Sequence, residues 1–228
     1  MEFPDLPGRV ASIRATIARH QARGGWSHPV TIVAVTKTHG PEAVRAARAA
    51  GLADVGENRV QEALAKMDQL RDLEVAWHLI GSLQRNKVRQ AVGRFALIHS
   101  VDRVELVEEF ARRSPGAGGQ RVLLEVNCGD EPQKAGVAPA DLPALLGAAR
   151  GVEGLVVEGL MTMAPFTPDP EVQRAAFRRL RQLRDEAGAR GIPLPVLSMG
   201  MSGDFTVAVE EGATMVRLGT ILFGERGT

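Results

Sequence analysis

The sequence predicts a single α/β domain, a (β/α)8 barrel of the TIM type with an extra helix at its N-terminus. Three observations predict it. Short apolar, β-branched runs alternate with helix-periodic segments along the whole chain. Eight such runs occur, and seven of them are followed by a helical pattern. The connections are short, no linker or low-complexity tract interrupts them, and 228 residues is an ordinary length for one barrel. Strict alternation implies a parallel sheet with right-handed crossovers, and eight units favour closure over an open sheet. An open doubly wound sheet is the competing architecture. It would want a glycine fingerprint after the first strand, and Thr36-Lys37-Thr38-His39-Gly40 is not one.

Each element has its own signal. The first helix is expected over 7–21, with Val10, Ile13 and Ile17 on one face. Strand one is the β-branched run 30–36, and the alanine-rich segment 42–50 is a helix ended by Gly51. Strands at 54–56, 75–80 and 95–99 alternate with helices at 59–70, 86–92 and 104–113, with Asp102 as a candidate N-cap for the last. A glycine-rich turn over 114–120 leads to a strand at 122–127 and a helix at 141–150. The strand at 155–160 precedes the longest helix, 171–188. Short strands at 195–198 and 215–218 flank a helix at 205–211. The sequence ends ten residues after Leu218, too few for a full eighth helix, so the N-terminal helix is expected to fill that gap in the outer ring.

Composition narrows the class. Hydrophobic residues make up 44% and charged residues 24%, as in soluble globular proteins. The formal net charge of +1, without a basic block, argues against nucleic acid as a partner. No apolar run approaches the ~20 residues of a membrane span, and Met1 to Arg14 lacks a signal core. The single cysteine, Cys128, cannot form an internal disulfide, which fits a reducing cytoplasm.

In barrels the site is built at the C-terminal ends of the strands. There the sequence places Lys37, Glu57-Asn58, His78, His99-Ser100, Asn127-Cys128, Met161-Thr162, Ser198 to Ser202 and Arg217 to Gly219. Lys37 reads equally as a rim lysine whose stem lies along the barrel and as a partly desolvated, nucleophilic amine. The serines and glycines of Ser198 to Asp204, with Arg217-Leu218-Gly219-Thr220, suit the phosphate cradle that follows strands seven and eight. Arg217 should point inward beside that cradle. His78 and His99 lack a third ligand at a recognisable spacing, so metal is rejected and both are read as hydrogen-bonded rim or core histidines. Cys128 lacks an obvious base, and the arginines between Arg174 and Arg184 read as a solvated helix face.

Seven stretches carry a resemblance: VAVTKTHG, DVGENRVQEAL, WHLIGSLQRNK, LLEVNCGDEPQKAG, GLMTMAP, LSMGMSGDF and VRLGTILFG. In this order they resemble the pyridoxal phosphate homeostasis family, whose barrel is similar to the N-terminal domain of alanine racemase. The resemblance implies one pyridoxal 5'-phosphate (PLP)-binding domain over residues 1–228. It implies PLP held as a Schiff base on Lys37, with Ser202, Gly219 and Thr220 on the phosphate. Arg217 would face the pyridine nitrogen and Asn58 would lie beside the cofactor. Members buffer PLP without robust catalysis, so no catalytic residue is expected, and apo-PLP enzymes are the expected recipients. His39-Gly40 departs from many members and puts only that loop's shape in doubt.

Two other functions compete. A PLP racemase needs a base on each face of the cofactor. Lys37 can serve one face, but the sequence contains no tyrosine, the second base of alanine racemase, and ends soon after the barrel. A cofactor-free Schiff-base aldolase acting on a sugar phosphate would fit the lysine and cradle equally well. Only the resemblance and Arg217 argue for a pyridine ring.

Overall fold

The computed structural model describes residues 3–113, 119–129, 131 and 133–224. Most of the glycine-rich turn expected at 114–120 therefore lies outside the described residues. Eight parallel strands close into a barrel in sequence order. They are β1 (Thr31–Val35), β2 (Asp54–Glu57), β3 (Ala76–Leu79), β4 (Leu97–Val101), β5 (Gln120–Glu125), β6 (Leu155–Met161), β7 (Val196–Ser198) and β8 (Met215–Leu218). The outer ring comprises α1 (Leu6–Gly24), α2 (Pro41–Ala49), α3 (Val60–Gln69), α4 (Val88–Ala91), α5 (Val104–Arg113), α6 (Leu142–Arg150), α7 (Pro170–Ala189), α8 (Phe205–Glu210) and α9 (Thr220–Phe223).

α1 fills the expected gap. Leu6, Val10, Ile13 and Ile17 are spaced to form one buried stripe. Gly25, at φ 75°, ends the helix in the left-handed region that glycine enters without strain. The helix packs on α8 and α9. Arg9 Nη1 donates to Leu222 O at 2.9 Å, and the indole of Trp26, just past the helix, donates to Glu210 O at 2.8 Å.

Alternation along each strand separates two cores. Ile32 and Ala34 face the helices, while Val33 joins Leu97, Leu123, Met161 and Met215 in a smaller cluster inside the barrel. This inner cluster matches the layered side-chain filling of such barrels.

Three local expectations shift. The fourth helix is a 3-10 turn (Arg85–Lys87) followed by only one α-turn. β4 begins two residues later than the apolar pattern suggests, because Phe95 is buried in the turn after Gly93 and its carbonyl accepts from Gln120 Nε2. β4 therefore runs past His99 to Val101. The arginines of α7 are also more than a solvated face. Arg174, Arg178 and Arg181 all pair with Glu211, and Arg174 reaches Glu210 at 2.7 Å.

Because α1 covers the part of the ring that α8 and α9 leave thin, its stripe should carry real stability. Ile13→Ala is expected to lower the unfolding free energy by about 2–5 kcal/mol with little change in denaturant slope. Urea unfolding followed by circular dichroism checks this.

Candidate functional site

Lys37, Asn58, Ser202, Arg217, Gly219 and Thr220 all line one cavity of about 380 Å³ at the C-terminal mouth. They come from the ends of β1, β2 and β8 and from the loop between β7 and α8. Val35, Ile80, Met163 and Met201 supply apolar wall.

Lys37 stands two residues beyond β1, and its side chain is exposed. The amine thus sits at the cavity rim and is not enclosed. Its backbone is tightly held. Thr38 has φ 74°, a region that β-branched residues rarely enter. His39 N closes the turn by donating to Thr36 O at 3.1 Å. Beneath it, Lys66 Nζ donates to Thr36 O (2.8 Å) and to Glu57 Oε1 (2.6 Å), which also accepts from Thr36 Oγ1 at 2.6 Å. Glu57 is thus a buried tether and not a group at the mouth.

At the other side of the β1–β8 seam, backbone donors converge. Ser202 Oγ accepts from Gly219 N (3.2 Å) and Ile221 N (3.3 Å). The two bonds are long, and the N–H groups and the hydroxyl together form a small polar concavity. Asp204 Oδ1 pins the same loop by accepting from Met201 N at 2.5 Å.

Arg217 is buried. Its Nη1 donates to Ser198 O (2.8 Å) and Ser198 Oγ (2.7 Å), and its Nη2 to Thr162 O (3.0 Å). A guanidinium has five N–H donors, so three bonds leave capacity on a group that lines the cavity. Burial pulls the guanidinium down to about 10, against the attraction of Glu125 and Asp204, so it stays charged at neutral pH.

Sequence reasoning missed Glu125. It ends β5, lines the cavity and is buried. Burial, with repulsion from Asp102, pushes its carboxyl up to about 7, although Arg217 and Arg103 pull the other way. The available signal was an acid set directly in the apolar run Leu123-Leu124-Glu125-Val126. Of the rim and core readings open for His78 and His99, the structure has the core one. They are barrel-interior residues bonded to each other at 2.9 Å, and not mouth residues. No cluster of metal-ligating side chains occurs among the described residues. No helix of the described residues is long and apolar enough to cross a membrane.

The sequence profile of the alanine racemase N-terminal domain matches residues 9–227. A pyridoxal phosphate homeostasis protein of Aquifex aeolicus is 48% identical over 197 residues, covering 86% of this chain and 86% of that protein. The Pseudomonas aeruginosa protein of the same name is 44% identical over 220 residues, covering 95% of this chain and 94% of that protein. This chain belongs to the pyridoxal phosphate homeostasis protein family. PipY of Synechococcus elongatus, solved with PLP bound, superposes on this homeostasis-family barrel with a TM-score of 0.84. Its identity is 40%, over 96% of this chain and 100% of its own. Alanine racemase of Clostridium difficile, at 12% identity and a TM-score of 0.73, shares the fold; the match covers 60% of that enzyme.

Glu125 gives this family member a readable pH signature. Its folded carboxyl titrates near 7, above the ordinary value near 4.5 of the unfolded chain. Its contribution to stability is therefore full below about pH 4.5 and is lost as pH rises through 7, by up to about 3 kcal/mol. Glu125→Gln should remove that slope. Urea unfolding of the ligand-free protein at pH 5 and pH 8 should show the variant gaining on wild type at the higher pH.

Proposed function

We propose that this protein binds PLP in the cavity at the barrel mouth and serves PLP homeostasis as a carrier without robust catalysis. One observation carries the reading. A primary amine, a hydroxyl with convergent backbone N–H groups, and a buried donor-only arginine share one cavity in a barrel whose 40%-identical relative was solved with PLP.

The donor set fits the cofactor. Ser202 Oγ and the Gly219 and Ile221 N–H groups already meet at one point, which is the arrangement a phosphate oxygen requires. Thr220 adds an exposed hydroxyl beside them. When bound, PLP supplies an aldehyde carbon with which an amine condenses, releasing water. Lys37 supplies the amine from its rigid turn. Asn58 closes the cavity beside it. Arg217 presents N–H groups and cannot accept a proton, so it would meet an unprotonated ring nitrogen. The ring then remains a weak electron sink, which disfavours carbanion chemistry. The exposure of Lys37 suits capture and release, with apo-PLP enzymes in the cytoplasm as recipients.

Glu125 is the observation that favours a racemase-like enzyme instead. It places a carboxyl pushed to about 7 in the same cavity, where a second acid or base could work. Against that reading stand Arg217 and the sequence's lack of tyrosine.

Three measurements test the proposal, and the last separates carrier from enzyme. Lys37→Ala should abolish the visible absorbance of the PLP-loaded protein and the covalent adduct trapped by borohydride. Intact-mass and peptide mapping would refute the assignment by finding the adduct mainly on another lysine. PLP should bind at least tenfold more tightly than pyridoxal, since each charge-assisted hydrogen bond contributes about 1.5–3 kcal/mol. Equal affinities would displace the cradle from Ser202, Gly219 and Thr220. Finally, no α-proton exchange into deuterated water is expected with a panel of amino acids, while the loaded protein should activate an apo-enzyme. Exchange at about 1 per second or faster would make the protein a catalyst.

A further inference from the structure

A line of polar side chains crosses the barrel interior beneath the cavity. Arg217 Nη1 donates to Ser198 Oγ at 2.7 Å. Ser198 Oγ lies 3.0 Å from His99 Nδ1, and His99 Nε2 lies 2.9 Å from His78 Nδ1. His78 Nε2 lies 3.0 Å from Asp54 Oδ1. Arg217, Ser198, His99 and His78 are buried. Asp54 opens β2, on the opposite side of the barrel from the cofactor cavity. There it lines a separate groove with Arg14 and Thr31 and is partly open to solvent.

The two ends fix the direction of every bond between them. An arginine only donates, and an ionised carboxylate only accepts. Ser198 Oγ accepts from Arg217, and His99 Nδ1 is the acceptor that the line offers its own proton. A neutral imidazole has one N–H, which for His99 must then be on Nε2, donating to His78 Nδ1. His78 in turn carries its proton on Nε2 and donates to Asp54. All four bonds run the same way, from cation to carboxylate, and no donor in the line lacks an acceptor. Burial, with the Arg217 charge nearby, holds His99 well below the usual imidazole range, in agreement with the neutral form. The reverse polarity would leave the Ser198 proton without an acceptor in the line.

We infer that Asp54, His78, His99 and Ser198 form a positioning relay, in which Asp54 sets the direction of the hydrogen-bond line and the line holds the Arg217 guanidinium toward the cofactor's ring nitrogen. The inference rests on the PLP reading above for its final step. Asp54, His78, His99 and Ser198 do not line the cavity, so they act through Arg217. Ring recognition is thus set in part from the far side of the barrel.

Long-range 1H–15N spectra of the full chain, ligand-free at pH 7, test the line itself. Both histidines should be neutral with the proton on Nε2. In Asp54→Asn the side-chain amide can donate as well as accept, so the direction is released and Nδ1–H forms should appear at His78 and His99. The second arm measures affinity. PLP should bind Asp54→Asn about threefold to tenfold more weakly than wild type, the size of one hydrogen bond's net contribution. An analogue with carbon in place of the ring nitrogen should bind both proteins equally. A proton on Nδ1 of either histidine in the wild type overturns the relay, and so does equal weakening of PLP and the analogue. If Asp54→Asn does not fold, the wild-type tautomers still decide the direction, and Ser198→Ala, which cuts the line beside Arg217, carries the affinity arm. Failure of the PLP reading is distinct from these results: neither compound would then bind the wild type, which overturns the positioning role while the Nε2 tautomers persist.

Discussion

The parallel pairing of the first strand with the last brings Lys37 beside Arg217, Gly219 and Thr220. Val33 lies opposite Arg217 and Ala34 opposite Leu218 across the β1–β8 seam. Neighbouring strands are separated by about 4.8 Å, so whatever follows them leaves the barrel side by side. Lys37 follows β1 and Gly219-Thr220 follows β8, and the two segments share the cofactor cavity and a second pocket next to it. A one-residue slip at this seam would turn Leu218 into the barrel and Arg217 out toward the helices. The hydrophobic sorting of Ile32, Ala34, Val216 and Leu218 into the helix-facing core resists that slip. The α1 helix is part of the same constraint, since it covers α8 and α9, the helices flanking β8.

Inside the barrel the apolar layer of Val33, Leu97, Leu123, Met161 and Met215 is accompanied by Arg217, Ser198, His99 and His78. Burying a charge is costly unless its hydrogen bonds are met. Arg217 satisfies this with two carbonyls and a hydroxyl, and Glu125 and Asp204 supply nearby negative potential. Burial raises the carboxyls of both acids, and among the described residues their charge reaches the arginine without a hydrogen-bonded ion pair. Apolar side chains of similar volume would stabilise such an interior at least as well. The arginine's place on the cavity wall is therefore explained better by a ligand than by the fold.

The architecture was legible in the sequence because alternation of β-branched runs with helical stripes is a long-range signal repeated eight times, and small errors in one unit do not disturb the rest. That the six proposed binding positions line one cavity was legible for a related reason: strand ends can be read from periodicity, and Lys37, Asn58, Ser202, Arg217, Gly219 and Thr220 stand at or just past them. What periodicity cannot give is the depth of a polar residue within a strand that lies two residues further along the chain than it looks. His99 therefore read equally as a rim or a core histidine, and its partners on β3 and β7 place it in the core. Glu125 and Lys66 were hidden by the same limit. Each is a charge within an apolar stripe, and only the packed barrel shows that one faces the cavity while the other ties Thr36 to Glu57.

The backbone around Lys37 joins the fold to the proposed role. A threonine at φ 74° costs free energy, on the order of 1–3 kcal/mol for such conformations, and persists only where its surroundings over-determine it. Here they do. Thr36 is fully buried and bonded through both its hydroxyl and its carbonyl, and His39 packs edge-on against Phe3 and at a tilt against Phe223. The residues on either side of the Lys37-Thr38 step are thus anchored, while the lysine side chain itself is exposed. A catalyst gains from the opposite arrangement, an amine enclosed where water is excluded and fixed dipoles act at full strength. A fixed base with an open amine aims Lys37 at the cavity yet leaves it reachable from solvent, and that is the combination an exchanging carrier needs.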